Sequence, residues 1–332
     1  MRRREFIASL LVAASLRQAR AQQPAKVFRI AVVTLGIPIA EITDTSNPFY
    51  RAFFHELRRF GYIEGRNLIV ERYSPERPTV EMARDVLRSK PDVIFSIGQW
   101  VRIFKPLTTI PIVATLGDPV GLGLVASLAH PGGNITGVSV DAGPEVEIKR
   151  LELLKDAFPQ ASRVGVLAAG FYLSELVRGG LSREQFQEAA QRLGLLLLAP
   201  RLEGTLQETE YRRMFEVLAQ EHADALFVGG EPESWGHRRL IVELAEKYRL
   251  PTIYPYREYV EAGGLMAYSV NLVELWTRAA ECIAQILNGA SPGDIPIYQA
   301  AKFELVLNLK AARALGLTIP PTLLARADEV IE

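Results

Sequence analysis

The polar and aromatic residues able to do chemistry gather where apolar runs end. The stretch Ile112 to Asp141 opens with an apolar strand and meets Gly117, Asp118 and Pro119. A short helix is expected from Pro119, stopped by Pro131-Gly132-Gly133-Asn134 before a second strand leads the chain towards another lobe. In an open parallel sheet, ligands sit outside the carboxyl ends of the strands, so Gly117 and Asp118 fall where a ligand is met. The Asp118 carboxylate suits an ammonium group; capping the helix that follows it is the competing use.

Four further runs end in turns of the same kind: Gly98-Gln99-Trp100, Ala169-Gly170-Phe171-Tyr172, Gly229-Gly230-Glu231-Pro232 and Tyr254-Pro255-Tyr256. The candidate ligand-binding residues are therefore Gln99, Trp100, Gly117, Asp118, Ser139, Phe171, Tyr172, Glu231, Tyr254, Tyr256 and Tyr268. Aromatic faces of this sort hold apolar or planar ligand parts, while a few convergent polar groups fix orientation. For Trp100, a structural role over the next helix is the alternative reading.

Patterns for catalysis are weaker. Gly121-Leu122-Gly123-Leu124-Val125-Ala126 matches the G-x-G-x-x-A dinucleotide pattern, with Asp141 at a strand end where a ribose-binding acid belongs. Asp118 and Pro119 intervene, however, and the pattern wants its first glycine in the tight turn directly after the strand. An exported cofactor-dependent oxidoreductase is the alternative this match keeps open. No G-x-S-x-G elbow, H-x-x-x-H or C-x-x-C occurs, and His55, His130, His222 and His237 have no carboxylate at a suggestive spacing. Glu231 and Glu233 could form an acid and base pair, but in a Gly/Pro turn that spacing suits a solvated loop. The expectation is a protein that is not an enzyme, with no metal and no cofactor.

The elements that must position these residues repeat as strand, turn, helix. Val27 to Thr34, Asn67 to Arg72, Pro91 to Ile97 and Ile110 to Thr115 read as buried parallel strands. Leu35 to Pro48 is a long polar connection, and Phe49, Phe53, Leu57 and Phe60 recur at helical spacing as a core stripe. The cycle restarts after Asp141, with capping boxes at Ser182 with Gln185 and Thr205 with Glu208, and Ser234 placed to cap a later helix. Two such series imply an α/β chain of two doubly wound, Rossmann-like lobes joined by a hinge, crossing near Val140, Val270 and Ala300. Lobe I is expected over 24–140 plus about 271–300 and lobe II over 141–270 plus about 301–332, with a shared cleft between them.

With 332 residues the chain suits two domains, and 38 basic against 38 acidic residues leave no electrostatic footprint for nucleic acid. Arg2, Arg3 and Arg4 precede the apolar run Ile7 to Leu16 and the A-x-A site Ala19-Arg20-Ala21, the anatomy of an export signal cleaved after Ala21. Arg3-Arg4-Glu5-Phe6-Ile7 also resembles the twin-arginine signal. The single cysteine, Cys282, permits no intrachain disulfide and reads as a small buried hydrophobe in a helix.

Several stretches resemble the substrate-binding proteins of ABC transporters, and more narrowly the group with tryptophan- and tyrosine-type binding components. They are MRRREFI, GDPVGLGLVASLAHPGGNITGVSV, RLELLKDAFP (Arg150 to Pro159), YPYREYVEAGGLMAY (Tyr254 to Tyr268) and KFELVLNLKAARALGLTIPPTLLARADEVI (Lys302 to Ile331). The resemblance implies a type I periplasmic-binding-protein fold that captures a small solute without altering it. It also implies a periplasmic monomer that hands the solute to an ABC transporter permease in the inner membrane. Aromatic amino acids are among the family's ligands; Asp118 matches the family's acidic position and Ser139 is a candidate hydroxyl for a ligand carboxylate. The turn Ala169 to Tyr172 departs from the Asn-Pro type turn of relatives. A ligand-sensing domain of the same fold is a further alternative.

Overall fold

The computed structural model describes residues 26–75, 79–140, 144–167, 183–200 and 207–332. Its strands, in chain order, are β1 (Phe28–Val33), β2 (Leu68–Tyr73), β3 (Val93–Ile97), β4 (Ile112–Leu116), β5 (Ile135–Ser139), β6 (Arg163–Leu167), β7 (Leu196–Leu198), β8 (Ala225–Val228), β9 (Thr252–Tyr254), β10 (Met266–Val270), β11 (Tyr298–Gln299), β12 (Phe303–Asn308) and β13 (Glu329–Ile331). The apolar, β-branched runs of β3 and β5 are buried along their whole length, as strands covered on both faces must be.

Two sheets result. The first runs β11-β5-β4-β3-β1-β2, parallel throughout; the second runs β13-β12-β10-β9-β8-β6-β7, parallel except where β10 meets β12. Each contains the order 2-1-3-4-5 of a doubly wound sheet, so the molecule is two Rossmann-like lobes. The chain passes between sheets three times, after β5, after β10 and after β11.

Helix ends are fixed by local chemistry. Asn47 accepts the Tyr50 N–H with Pro48 at the first position of the helix Pro48–Arg59, and Asn271 accepts the Glu274 N–H at the start of Leu272–Leu287. These two helices cover one face of the first sheet, where Phe53 stacks on Phe95 at 4.9 Å. The aromatic stripe of the first helix is core at Phe49, Phe53 and Leu57, while Phe60 is exposed beyond the helix end. Cys282 is buried in the second, and burial pushes its thiol up to about 12.

Several local expectations are corrected. Residues 119–130 form turns and bends rather than the expected short helix, with Gly123 at positive φ, a backbone that a right-handed helix cannot use. The G-x-G-x-x-A pattern therefore has no helix N-terminus to offer a pyrophosphate, and Asp141 lies outside the described residues. Ser234 sits inside the short helix Pro232–Gly236, its hydroxyl 3.2 Å from the Tyr211 hydroxyl, instead of capping the next one. Ser182 and Thr205 lie outside the described residues; the helix Glu208–Gln220 is preceded by Gln207. Among the described residues, no helix is long and apolar enough to cross a membrane.

Candidate functional site

A cavity of about 220 Å³ lies between the lobes, at the point in each sheet where the strand order reverses. Turns after β1 and β3 bring Ile37, Gly98 and Gln99; the turn after β4 brings Gly117 and Asp118; and the segment after β8 brings Gly230, Pro232 and Trp235 from the opposite lobe. Phe49 and Trp276, at the starts of the two long helices of the first lobe, and Tyr256, after β9, complete an aromatic wall. An apolar cavity of about 150 Å³ holds benzene, so this one takes an aromatic ring with a few further atoms.

The rings support one another. Phe49 stands 5.0 Å from Trp235 and 4.8 Å from Trp276, both in inclined geometries that suit ring quadrupoles. These contacts join the cores of the two lobes into one continuous apolar cluster. The Arg238 guanidinium lies 3.9 Å from the Trp235 ring centroid and reaches Glu41 of the other lobe at 3.5 Å.

Polar groups come mainly from the first lobe. Asp118 is half-buried, and its Oδ1 accepts the Gly121 N–H at 2.8 Å, closing a turn. Lys105 Nζ donates to the Gly123 carbonyl at 2.6 Å and holds the same turn from below, while the Gly98 N–H donates to Thr115 Oγ1 at 3.3 Å. Gln99 and Arg102 also line the cavity. In the second lobe the Tyr256 hydroxyl donates to the Gly230 carbonyl at 3.1 Å, and burial raises its pKa well beyond that of a free phenol. Beside Gly36 of the first lobe, burial also raises the pKa of Glu233, and elsewhere in the second lobe it brings that of Glu258 to about 7.

Of the sequence candidates, Gln99, Gly117, Asp118 and Tyr256 line the cavity. Trp100 does not: it is fully buried, its Nε1 donates to the Thr34 carbonyl at 2.9 Å, and its ring leans on Phe104 in the core on the other face of the sheet. Ser139 is buried and its hydroxyl donates to the Gly117 carbonyl at 2.7 Å, bracing the turn from the neighbouring strand. Glu231 stands between two lining residues without forming part of the wall. Tyr254 stacks on Tyr259 at 5.0 Å and borders a separate cavity of about 320 Å³ inside the second lobe; Tyr268 stacks on Phe303 at 5.5 Å. Phe171 and Tyr172 lie outside the described residues.

Sequence reasoning missed Trp235, Trp276, Arg102 and Thr115, and it read Phe49 as core alone. Pro232 at the first position of a helix after a flagged turn was a usable signal for Trp235. Trp276 carried none, because its spacing with Leu272, Leu275 and Ala279 is that of a buried stripe.

A family model for ABC transporter substrate binding proteins matches residues 52–331, and the chain belongs to that family. The Tyrosine-binding protein of Clostridioides difficile is 25% identical over 273 residues, spanning 80% of this chain and 76% of its own. A conserved domain protein of Vibrio cholerae, of known structure, shares 26% identity with a TM-score of 0.75, over 92% of this chain and 100% of that one. A Streptococcus pneumonia ABC domain solved in complex with L-Trp gives a TM-score of 0.73 at 23% identity, over 92% of this chain and 100% of its own. The fold is that of the type I periplasmic binding proteins, and the protein is a solute-binding component of an ABC transporter.

Proposed function

We propose that this protein captures an aromatic amino acid in the interlobe cavity and hands it to the transporter's permease. The observation that carries the reading is a cavity of about 220 Å³ walled by Phe49, Trp235, Trp276 and Tyr256, with Arg102 and Asp118 entering from one lobe. The rings match a planar side chain, and the two opposite charges in the cavity lining match a zwitterion: the carboxylate of Asp118 faces the ammonium and the guanidinium of Arg102 the carboxylate. Asp118 Oδ1 already closes its own turn, so Oδ2 is the atom assigned to the ammonium. The names of the C. difficile relative and of the S. pneumonia complex point to the same ligand class.

In this reading residues 1–21 form the export signal, removed after Ala21, and the mature chain works in the periplasm as a monomer. The working bodies are lobe I, 24–140 with about 271–300, and lobe II, 141–270 with about 301–332. Sheet membership supports this division, since β11 joins the first sheet and β12 the second.

Thermal-shift measurements on the mature chain with each of the common amino acids test the proposal. Tyrosine, tryptophan or phenylalanine should stabilise it by about 2.7 kcal/mol at a hundredfold excess over the dissociation constant. No shift with any of them, alongside a shift with a sugar or other non-aromatic solute, would sink the ligand assignment.

A further inference from the structure

Around the cavity, the lobes meet along a seam from which side chains are missing. The helix Pro232–Gly236 projects from the end of β8 against the turns that follow β1 and β3. A Cβ at Gly236 would stand 2.3 Å from the Gly36 carbonyl oxygen, a distance that no real side chain tolerates, and 3.1 Å from its carbonyl carbon. Both clashing atoms are backbone, so no rotamer change relieves the conflict. The seam continues on both sides: a Cβ at Gly36 would lie 3.1 Å from the Glu233 Cα, and one at Gly98 would lie 3.2 Å from the Pro232 Cγ.

Gly36 and Gly98 have a second reason to be glycine, since they sit at φ +65° and +77°. Gly236 has no such reason: it lies at the end of a helix and is not among the positive-φ residues. Its missing side chain is required only by the approach of the other lobe. Beside it, Trp235 meets Phe49 and Arg238 reaches Glu41, so the segment that presents Gly236 also presents the second lobe's indole to the ligand cavity.

We infer that Gly236 is a positioning residue for ligand capture: backbone contact with Gly36 sets how far the lobes close, and a side chain at 236 holds them apart. The inference rests on the solute-binding reading, in which closure seals the ligand. Held apart, the lobes leave Pro232, Trp235 and Tyr256 withdrawn from Phe49, Gln99 and Asp118. The fold of each lobe is untouched, because the conflict exists only between them.

The test uses the full mature chain carrying Glu41→Cys and Arg238→Cys, whose native side chains lie 3.5 Å apart across the seam. A short bis-maleimide traps every closing event, with or without ligand; Cys282 stays in place because it is buried and its thiol is held protonated. Adding Gly236→Val should slow cross-linking by about tenfold or more while far-ultraviolet circular dichroism shows both lobes still folded; Gly236→Ala should fall between. Calorimetric titration of the native-cysteine chain with L-tyrosine and L-tryptophan should weaken in the same order. Cross-linking of the valine variant at the parent rate, or none in the parent, overturns the inference. If the parent binds neither amino acid but its cross-linking still responds to residue 236, the ligand assignment fails and the closure role stands. Should Gly236→Val not fold, Gly236→Ala against the parent decides by the same two readouts.

Discussion

The two sides of the cavity are built on the same strand order, yet they place their charges differently. On the first lobe, the turn and short helix after β3 and the carboxyl end of β4 with its turn bring polar groups up to the cavity itself: Gln99, Arg102, Thr115 and Asp118. Behind them lie apolar cores on the two faces of the sheet, Phe53 with Phe95 on one and Trp100 with Phe104 on the other. On the second lobe, the cavity face is Trp235, Pro232 and Tyr256, while Glu258, Tyr211 and Tyr259, which do not line it, all have raised pKa values from burial. The first lobe thus brings both polar groups and rings, Phe49 and Trp276, to the cavity over a dry support, while the second brings rings over a support that contains titratable groups. A zwitterionic ligand with an aromatic side chain uses both: its charges meet the first lobe, and its ring meets Phe49 and Trp276 of the first and Trp235 and Tyr256 of the second.

Substitutions separate the two roles, and the largest effect is expected where the first lobe is dry. Trp100→Ala should cost about 3–5 kcal/mol of folding stability, through lost packing and an unpaired Thr34 carbonyl, with the affinity of the folded fraction near that of the parent. Denaturant melts and calorimetric titration read the two quantities separately. A large affinity loss at unchanged stability would return Trp100 to the ligand site.

The second lobe's support should show in pH dependence. Burial raises the Glu258 carboxyl to about 7, with Glu261 adding to the rise and Arg257 and Arg238 opposing it. The folded state then holds a proton that the unfolded chain releases near pH 4.5, so stability is full below the unfolded value and is lost as pH rises towards about 7. Glu258→Gln should match the parent at about pH 4 and exceed it by up to about 3 kcal/mol at about pH 8. A difference that stays constant across urea melts at several pH values would contradict this.

The smallest of the three effects belongs to the first lobe's wet surface. Asp118→Ala should weaken aromatic amino acid binding by about 1.5–3 kcal/mol, roughly ten- to a hundredfold in the dissociation constant. The thermal midpoint of the ligand-free chain should hold nearly constant, since only the exposed turn bond to the Gly121 N–H is lost. A marked fall of that midpoint at unchanged affinity would make Asp118 a structural residue of its turn.

The sequence by itself determined the alternation of strand and helix, the two-lobed α/β class, and the turns that face the cleft. Each depends on local chemistry: apolar β-branched runs such as those of β3, caps such as Asn47 with Pro48, and glycines at strand ends. What only the tertiary structure decided is which face of each element the cavity occupies. Trp100 and Trp276 both stand in the first two turns of a helix, and one ends in the core behind the sheet while the other joins the wall. The stretch 119–130 failed as a helix because Gly123 could adopt positive φ and the Lys105 ammonium could hold the resulting turn, a contact from a different element. Gly236 makes the same point: nothing nearby in the chain asks for glycine there, and the backbone that does, at Gly36, lies two hundred residues away and across a cleft.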